Sequence, residues 1–184
     1  WWDDLWLNEA FATWMAFKIV DAWRPAWRMW DDFDGGKAAA LHLDAMESTH
    51  PIHAEVRNAE EATENFDVIT YEKGGAMLRM IEGYLGADRF RDGIRDYMRR
   101  FEYRNAQAAD LWDALGRASG EPIGLVAHAW PHQGGYPLLT VERSGATVRL
   151  SQRRFFAEPD RMKAAPTDDL WPIPVVLRWA DDQG

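Results

Sequence analysis

Glu9 is the only acid between Leu5 and Val20, in a run where nearly every other position is apolar. A helix that is apolar on all sides belongs in a protein interior. There an ionised carboxylate is costly unless a cation or strong hydrogen bonds meet it. Two cations would answer that need: a metal ion, or an Arg or Lys from another helix. By chemistry alone the structural ion pair is the commoner of the two. Tyr71 precedes Gly74-Gly75; its phenol, neutral below a pKa of ~10, is a hydrogen-bond donor, and in a core tyrosine the acceptor is usually backbone. His42, His50 and His53 bring three imidazoles at spacings of eight and three. Those spacings cross a helix end and Pro51, so the rings do not share one face as a metal site needs. They read as surface or supporting groups. The acids of Asp31-Asp32-Phe33-Asp34-Gly35-Gly36 read as a solvated turn, because a calcium loop needs more oxygen ligands at regular spacing.

The elements that position these residues follow from pattern and punctuation. The first helix is expected from Asp3 or Asp4, whose short acidic side chains suit an N-terminus, to about Ala22. Pro25 fits the first turn of a short helix holding Trp27 and Trp30, followed by a break at 31–36. Lys37 to Met46 is Ala-rich and helix-prone, and Pro51 ends that stretch. Residues 54–65 are polar and acidic and read as a surface loop. Apolar residues at 77, 78, 81, 84 and 85 form a helical stripe, stopped by Gly86. Gly74 and Gly75 cost helix stability and so imply a close neighbour, a helix or a ligand. Ala87 to Tyr103 is a further amphipathic helix with Phe90, Ile94, Tyr97, Met98 and Phe101 inward. Shorter helices are expected from Asp110 towards Gly120 and from Pro122 to Trp130. After Gln133-Gly134-Gly135-Tyr136-Pro137 the pattern becomes β-prone. Strands at 138–143 and 146–151 around Ser144-Gly145 read as a hairpin, and 173–179 as a third strand.

Composition narrows the class. The chain has 184 residues, 47% hydrophobic and 28% charged, which suits a globular protein with a sizeable core. Eleven Trp, seven of them in the first thirty residues, imply a large buried interface. A formal net charge of −9 and a pI near 5.0 argue against nucleic acid or an anionic membrane as the main partner. The arginines between 89 and 100 alternate with acids and read as a solvated face. The chain has no Cys, which excludes disulfides and Cys-based metal sites and fits either a cytosolic or a secreted protein. No charge-free apolar run is long enough to span a membrane, and the first residues do not form a signal peptide. A chain opening on Trp1 within a core helix reads as a piece of a longer one.

Trp1-Trp2-Asp3-Asp4-Leu5-Trp6-Leu7-Asn8-Glu9-Ala10-Phe11-Ala12 resembles a segment of the zinc aminopeptidases related to aminopeptidase N and the leukotriene hydrolases. That family carries H-E-x-x-H, a spacer of about eighteen residues, and then the Glu of an N-E-G-F-A-like segment as third zinc ligand. Glu9 matches that ligand. Ala10 stands where the family usually has Gly, a change that favours helix by about 1 kcal/mol. Tyr71-Glu72-Lys73-Gly74 is similar to the family's Tyr-x-Lys-Gly segment, whose tyrosine steadies the transition state. Ser48-Thr49-His50-Pro51 and Gln133-Gly134-Gly135-Tyr136-Pro137 resemble two further family segments.

The resemblance implies a mainly α fold: the C-terminal helical part of a thermolysin-like catalytic domain over 1–130, then the first strands of an incomplete β-sandwich over 131–184. It implies an aminopeptidase that removes N-terminal residues from peptides through a zinc-bound water. Glu9 would be a metal ligand and Tyr71 the catalytic hydrogen-bond donor. One zinc ion is implied, its other ligands lying in an H-E-x-x-H that would end about ten residues ahead of Trp1. The rest of the polypeptide would then complete core and site, and the chain alone would be inactive. A noncatalytic relative serving as an interaction scaffold is the alternative, against which the pairing of Glu9 with Tyr71 speaks. An epoxide hydrolase with peptidase activity is a narrower one.

Overall fold

The N-terminal apolar run folds as α1 (Leu5–Trp23), entered through a 3-10 turn at Trp2–Asp4, in a computed structural model that describes residues 2–176. The acidic residues before it do not cap it. Asp4 occupies the N-cap position without accepting a bond from the helix. The Asp3 carboxylate instead accepts from the Val56 N–H at 2.7 Å and that of Asp4 from the Ala108 N–H at 3.1 Å. These two acids therefore staple distant segments to the start of α1. Nor is α1 interior on every side. Trp6, Leu7, Ala10 and Trp14 are buried, while Ile19 and Trp23 are exposed. Within the described residues its neighbours cover one face only.

Pro25 opens a 3-10 turn that ends at Trp27, and Arg28 takes a left-handed conformation (φ 51°) before α2 (Met29–Asp44) begins. Trp30 thus belongs to α2. The break expected at 31–36 is absent, and the helix runs through both glycines. Asp31 and Asp32 lie in its first turn, where acids offset the helix dipole. Gly36 lies against the end of the Glu72 side chain: a Cβ there would stand 2.8 Å from its carboxylate. The expected loop at 54–65 contains a short helix, α3 (Ala59–Glu64), because Asn58 accepts from the N–H groups of Glu60 and Glu61, a capping contact.

A single π-helical turn, Ile69–Lys73, leads directly into α4 (Gly74–Leu85). α5 (Ala87–Arg100) ends before the expected Tyr103, which is exposed, with φ at 57°. Phe90 and Ile94 are buried as expected, whereas Met98 is half exposed. α6 (Ala108–Ser119) stops at Gly120, and α7 (Ile123–His132) carries Pro131 in its last turn. Residues from α1, α4, α5, α6 and α7 share one hydrophobic core, from Trp6 and Trp14 through Leu78, Ile81 and Phe90 to Leu111, Leu115 and Ile123.

Beyond the helices, β1 (Pro137–Ser144) pairs antiparallel with β2 (Thr147–Arg154), Ser144 opposite Thr147. The turn is Gly145-Ala146, one residue later than expected, with Gly145 at φ 58°. A five-residue helix, α8 (Pro159–Lys163), follows without a strong sequence signal. Of the third strand expected at 173–179, residues 173–176 form none, and 177–179 lie outside the described residues. The chain is thus mainly α with an antiparallel hairpin near its C-terminal end, in agreement with the expected fold class. No helix among the described residues is long and apolar enough to cross a membrane.

Candidate active site

The residues of the proposed chemistry lie on α1 and on the π turn that leads into α4, and glycine sets the separation of α1 and α4. A Cβ on Gly74 would stand 2.6 Å from the Ala10 Cβ, and one on Gly75 3.3 Å from the Phe33 ring. Gly74 and Gly75 thus do what their cost implied: they admit neighbouring helices. The departure at Ala10 is spent on this contact, its methyl fully buried against Gly74. Glu82 of α4 fixes the rotation of α1, accepting from Trp14 Nε1 at 2.9 Å and pairing with Lys18.

One turn of α1 away, Glu9 is half buried and accepts from Asn8 Nδ2 at 3.1 Å. Among the described residues no Lys or Arg pairs with it, which removes the ion-pair reading within them. Its neighbour is Tyr71. Burial foremost, and then hydrogen bonding and charge from Glu9, push the Tyr71 phenol above its ordinary pKa. The phenol therefore stays protonated, a donor facing a carboxylate.

The π turn carrying Tyr71 packs between α1 and α2 and is held at both ends. At its start, Asp67 accepts from the Thr70 N–H at 2.9 Å and meets His50 Nε2 at 2.6 Å. The hydrogen bond that His50 donates to Asp67 raises the His50 pKa. Burial tends to raise that of Asp67, but the hydrogen bonds from His50 and Thr70 outweigh it and leave it lowered. At its end, Lys73 is 3% exposed and its ammonium stands 2.7 Å from Asp44, itself fully buried. Lys73 Nζ also donates to the carbonyls of Gly135 at 3.0 Å and Gln133 at 3.2 Å. Asp44 accepts in turn from the Gly135 N–H at 2.7 Å and from Thr49 Oγ1 at 2.8 Å. Burial lowers the Lys73 pKa against the opposing pull of Asp44.

Neither Asp44 nor Lys73 was singled out by sequence. A signal existed: Lys73 lies four residues before buried Met77, and Asp44 four after buried Ala40. Each is a charge on an apolar helical stripe, where unpaired charges are almost never found. The three histidines singled out by sequence do not converge on one another; His53 lies instead against His132, ring centroids 4.6 Å apart, and His132 against His128. His42 is exposed on α2, His50 is engaged by Asp67, and His53 Nδ1 lies 3.3 Å from Asp4.

A catalytic zinc takes three protein ligands and an open position. The half-buried Glu9 carboxylate, with no Lys or Arg partner among the described residues, fits one ligand place. Among the described residues, no group of three or more His, Cys, Asp or Glu is arranged to hold a metal ion.

The helical core and the apposed Glu9 and Tyr71 define a candidate peptidase site, and the family follows from comparison. Residues 1–130 match the peptidase family M1 domain, and the chain belongs to that family. Among curated relatives, a leucyl aminopeptidase of Saccharolobus solfataricus is 44% identical over 84% of this chain and 20% of its own length. An alanine/arginine aminopeptidase of Saccharomyces cerevisiae is 38% identical over 97% of this chain and 21% of its own. Tricorn protease-interacting factor F2 of Thermoplasma volcanium is 40% identical over 96% and 22%. The chain spans about a fifth of the length of these relatives.

Proposed function

We propose that this chain forms part of the active site of a zinc-dependent aminopeptidase, with Glu9 as third metal ligand and Tyr71 as hydrogen-bond donor to the scissile carbonyl. The observation that carries this reading is the packing of the π turn that bears Tyr71 against α1, where Glu9 has no Lys or Arg partner among the described residues; burial and then Glu9 raise the Tyr71 pKa. The aminopeptidase names of relatives in the same family support it. Zinc, when bound, supplies Lewis acidity towards a peptide carbonyl and a water. Glu9 brings an anionic oxygen to one ligand place. Tyr71 donates its phenolic proton into a hydrogen bond as negative charge develops on the carbonyl oxygen, and keeps that proton throughout. The bond strengthens as charge grows, so it favours the transition state over the bound peptide.

The remaining ligands and the general base are proposed to lie elsewhere in a longer polypeptide, which also covers the exposed Ile19 and Trp23 of α1. In this reading 1–130 is the helical C-terminal part of the catalytic domain and 131–184 begins a β-sandwich. Peptides are the proposed substrates, trimmed from the N-terminus.

The test is Tyr71→Phe in the full-length protein, with turnover on aminoacyl substrates and zinc content both measured. Turnover lower by about 10²–10³ with one zinc retained supports the assignment. Unchanged turnover removes Tyr71 from the mechanism.

A further inference from the structure

We propose that Lys73, held by Asp44, is a positioning residue that sets the Tyr71 phenol against Glu9; the inference rests on the reading of Tyr71 as the carbonyl's hydrogen-bond donor. Tyr71 and Lys73 lie two residues apart on one π turn, so their side chains leave it on opposite sides. The turn packs against α1, the helix that carries Glu9. The Lys73 side chain ends in a buried set of contacts: Asp44 at 2.7 Å, the Gly135 carbonyl at 3.0 Å and the Gln133 carbonyl at 3.2 Å. An ammonium has three N–H donors, and these three acceptors occupy the space around it.

The far side of this lock is equally fixed. Asp44 Oδ1 accepts from the Gly135 N–H and from Thr49. Gly135 takes φ 86°, and a Cβ there would stand 2.5 Å from Arg154 Nε. Sliding or rotating the turn would pull a buried charged group away from its partners, which is costly. The turn therefore has one register, and that register aims Tyr71 at α1. A π turn is a poor helix by itself; the buried pair is what makes it worth keeping. The pair touches no substrate and acts through Tyr71.

The experiment is a double-mutant cycle in the full-length protein: Lys73→Met, Tyr71→Phe and both together, with kcat, KM and zinc content measured for each. Lys73→Met is expected to lower kcat about 10–100-fold, the range for residues that hold a site's reacting groups, with KM and zinc content little changed. In the Tyr71→Phe background the same change is expected to cost almost nothing further, because the group it aims is gone. A purely structural role would give equal losses in both backgrounds, or loss of zinc, and would overturn the proposal. So would wild-type kcat in Lys73→Met. If the single variant leaves Asp44 unpaired and fails to fold, Lys73→Met/Asp44→Asn, which carries no buried charge, takes its place in the same cycle with the same two outcomes. Unchanged turnover in Tyr71→Phe alone would instead sink the reading of Tyr71, and this inference with it. A slow Tyr71→Phe with additive Lys73→Met sinks this inference only.

Discussion

His50 and Asp67 show how single residues tie the candidate site to pH. The folded chain raises the His50 pKa above 6.5 through the hydrogen bond that the imidazole donates to Asp67, with burial opposing and the Pro51 carbonyl, the charge of Asp67 and Asp44 adding to it. The contribution of His50 is therefore fully present below the unfolded imidazole value and is lost as pH rises through the higher folded one. Asp67 is lowered below 3.8, burial being outweighed by His50 and Thr70. Its contribution is present above that value and is lost as pH falls through the lower folded one. The pair thus stabilises the start of the π turn between the two folded values. Thermal melts of wild type and His50→Gln are expected to differ more near pH ~6 than near pH ~9, where the imidazole is neutral. A constant difference across that range would contradict the pairing. At this scale resemblance to a family segment singled out Glu9 and Tyr71, and the fold packs the elements that carry them together. The sequence was silent on Asp44 and Lys73, since a buried pair is visible only when two distant helical stripes are laid side by side.

Elements were legible wherever apolar period and stop signals agreed. α4 ends at Gly86 and α6 at Gly120 as expected, because the run and its terminator point the same way. Sequence failed at Gly35-Gly36, read as a break, because a glycine that opens space for a neighbour looks locally like one that ends a helix. Only Glu72, thirty-six residues on, decides it. At Asp3 and Asp4 the helix start was legible, Asp4 standing at the N-cap position, but not the bonds of their side chains, which go to Val56 and Ala108. The same two uses of glycine make a self-controlled prediction on α4. Gly83→Ala meets nothing within 4 Å and is expected to stabilise by about 0.5–1 kcal/mol through helix propensity. Gly74→Ala gains the same propensity but drives a methyl to 2.6 Å from Ala10 Cβ, where overpacking costs about 1–3 kcal/mol. It is expected to destabilise on balance. Denaturant unfolding of both variants checks the signs; stabilisation by both would mean that α1 and α4 are not in this contact.

Across the whole molecule, the four family-like segments meet at one place. Ala10 touches Gly74, and Thr49, Lys73 and Gly135 all bond Asp44. A linear reading sees four separate matches; the fold makes them one structure that carries Tyr71 to Glu9. Among the described residues no group of three or more His, Cys, Asp or Glu is arranged to hold a metal ion. The 184-residue chain alone is therefore expected to take up no stoichiometric zinc, since one carboxylate is far short of the three ligands a catalytic zinc uses. Tight one-to-one binding, seen by calorimetry, would point to a site built from the histidines instead. The central claim is that Glu9 and Tyr71 serve one zinc-dependent peptidase site, and the most direct measurement is on Glu9. Full-length wild type and Glu9→Ala should be dialysed side by side and compared for zinc per chain and for aminopeptidase turnover. The account predicts one zinc and turnover in the wild type, with both largely lost in Glu9→Ala while the fold persists. A Glu9→Ala protein that keeps its zinc and its turnover would contradict it.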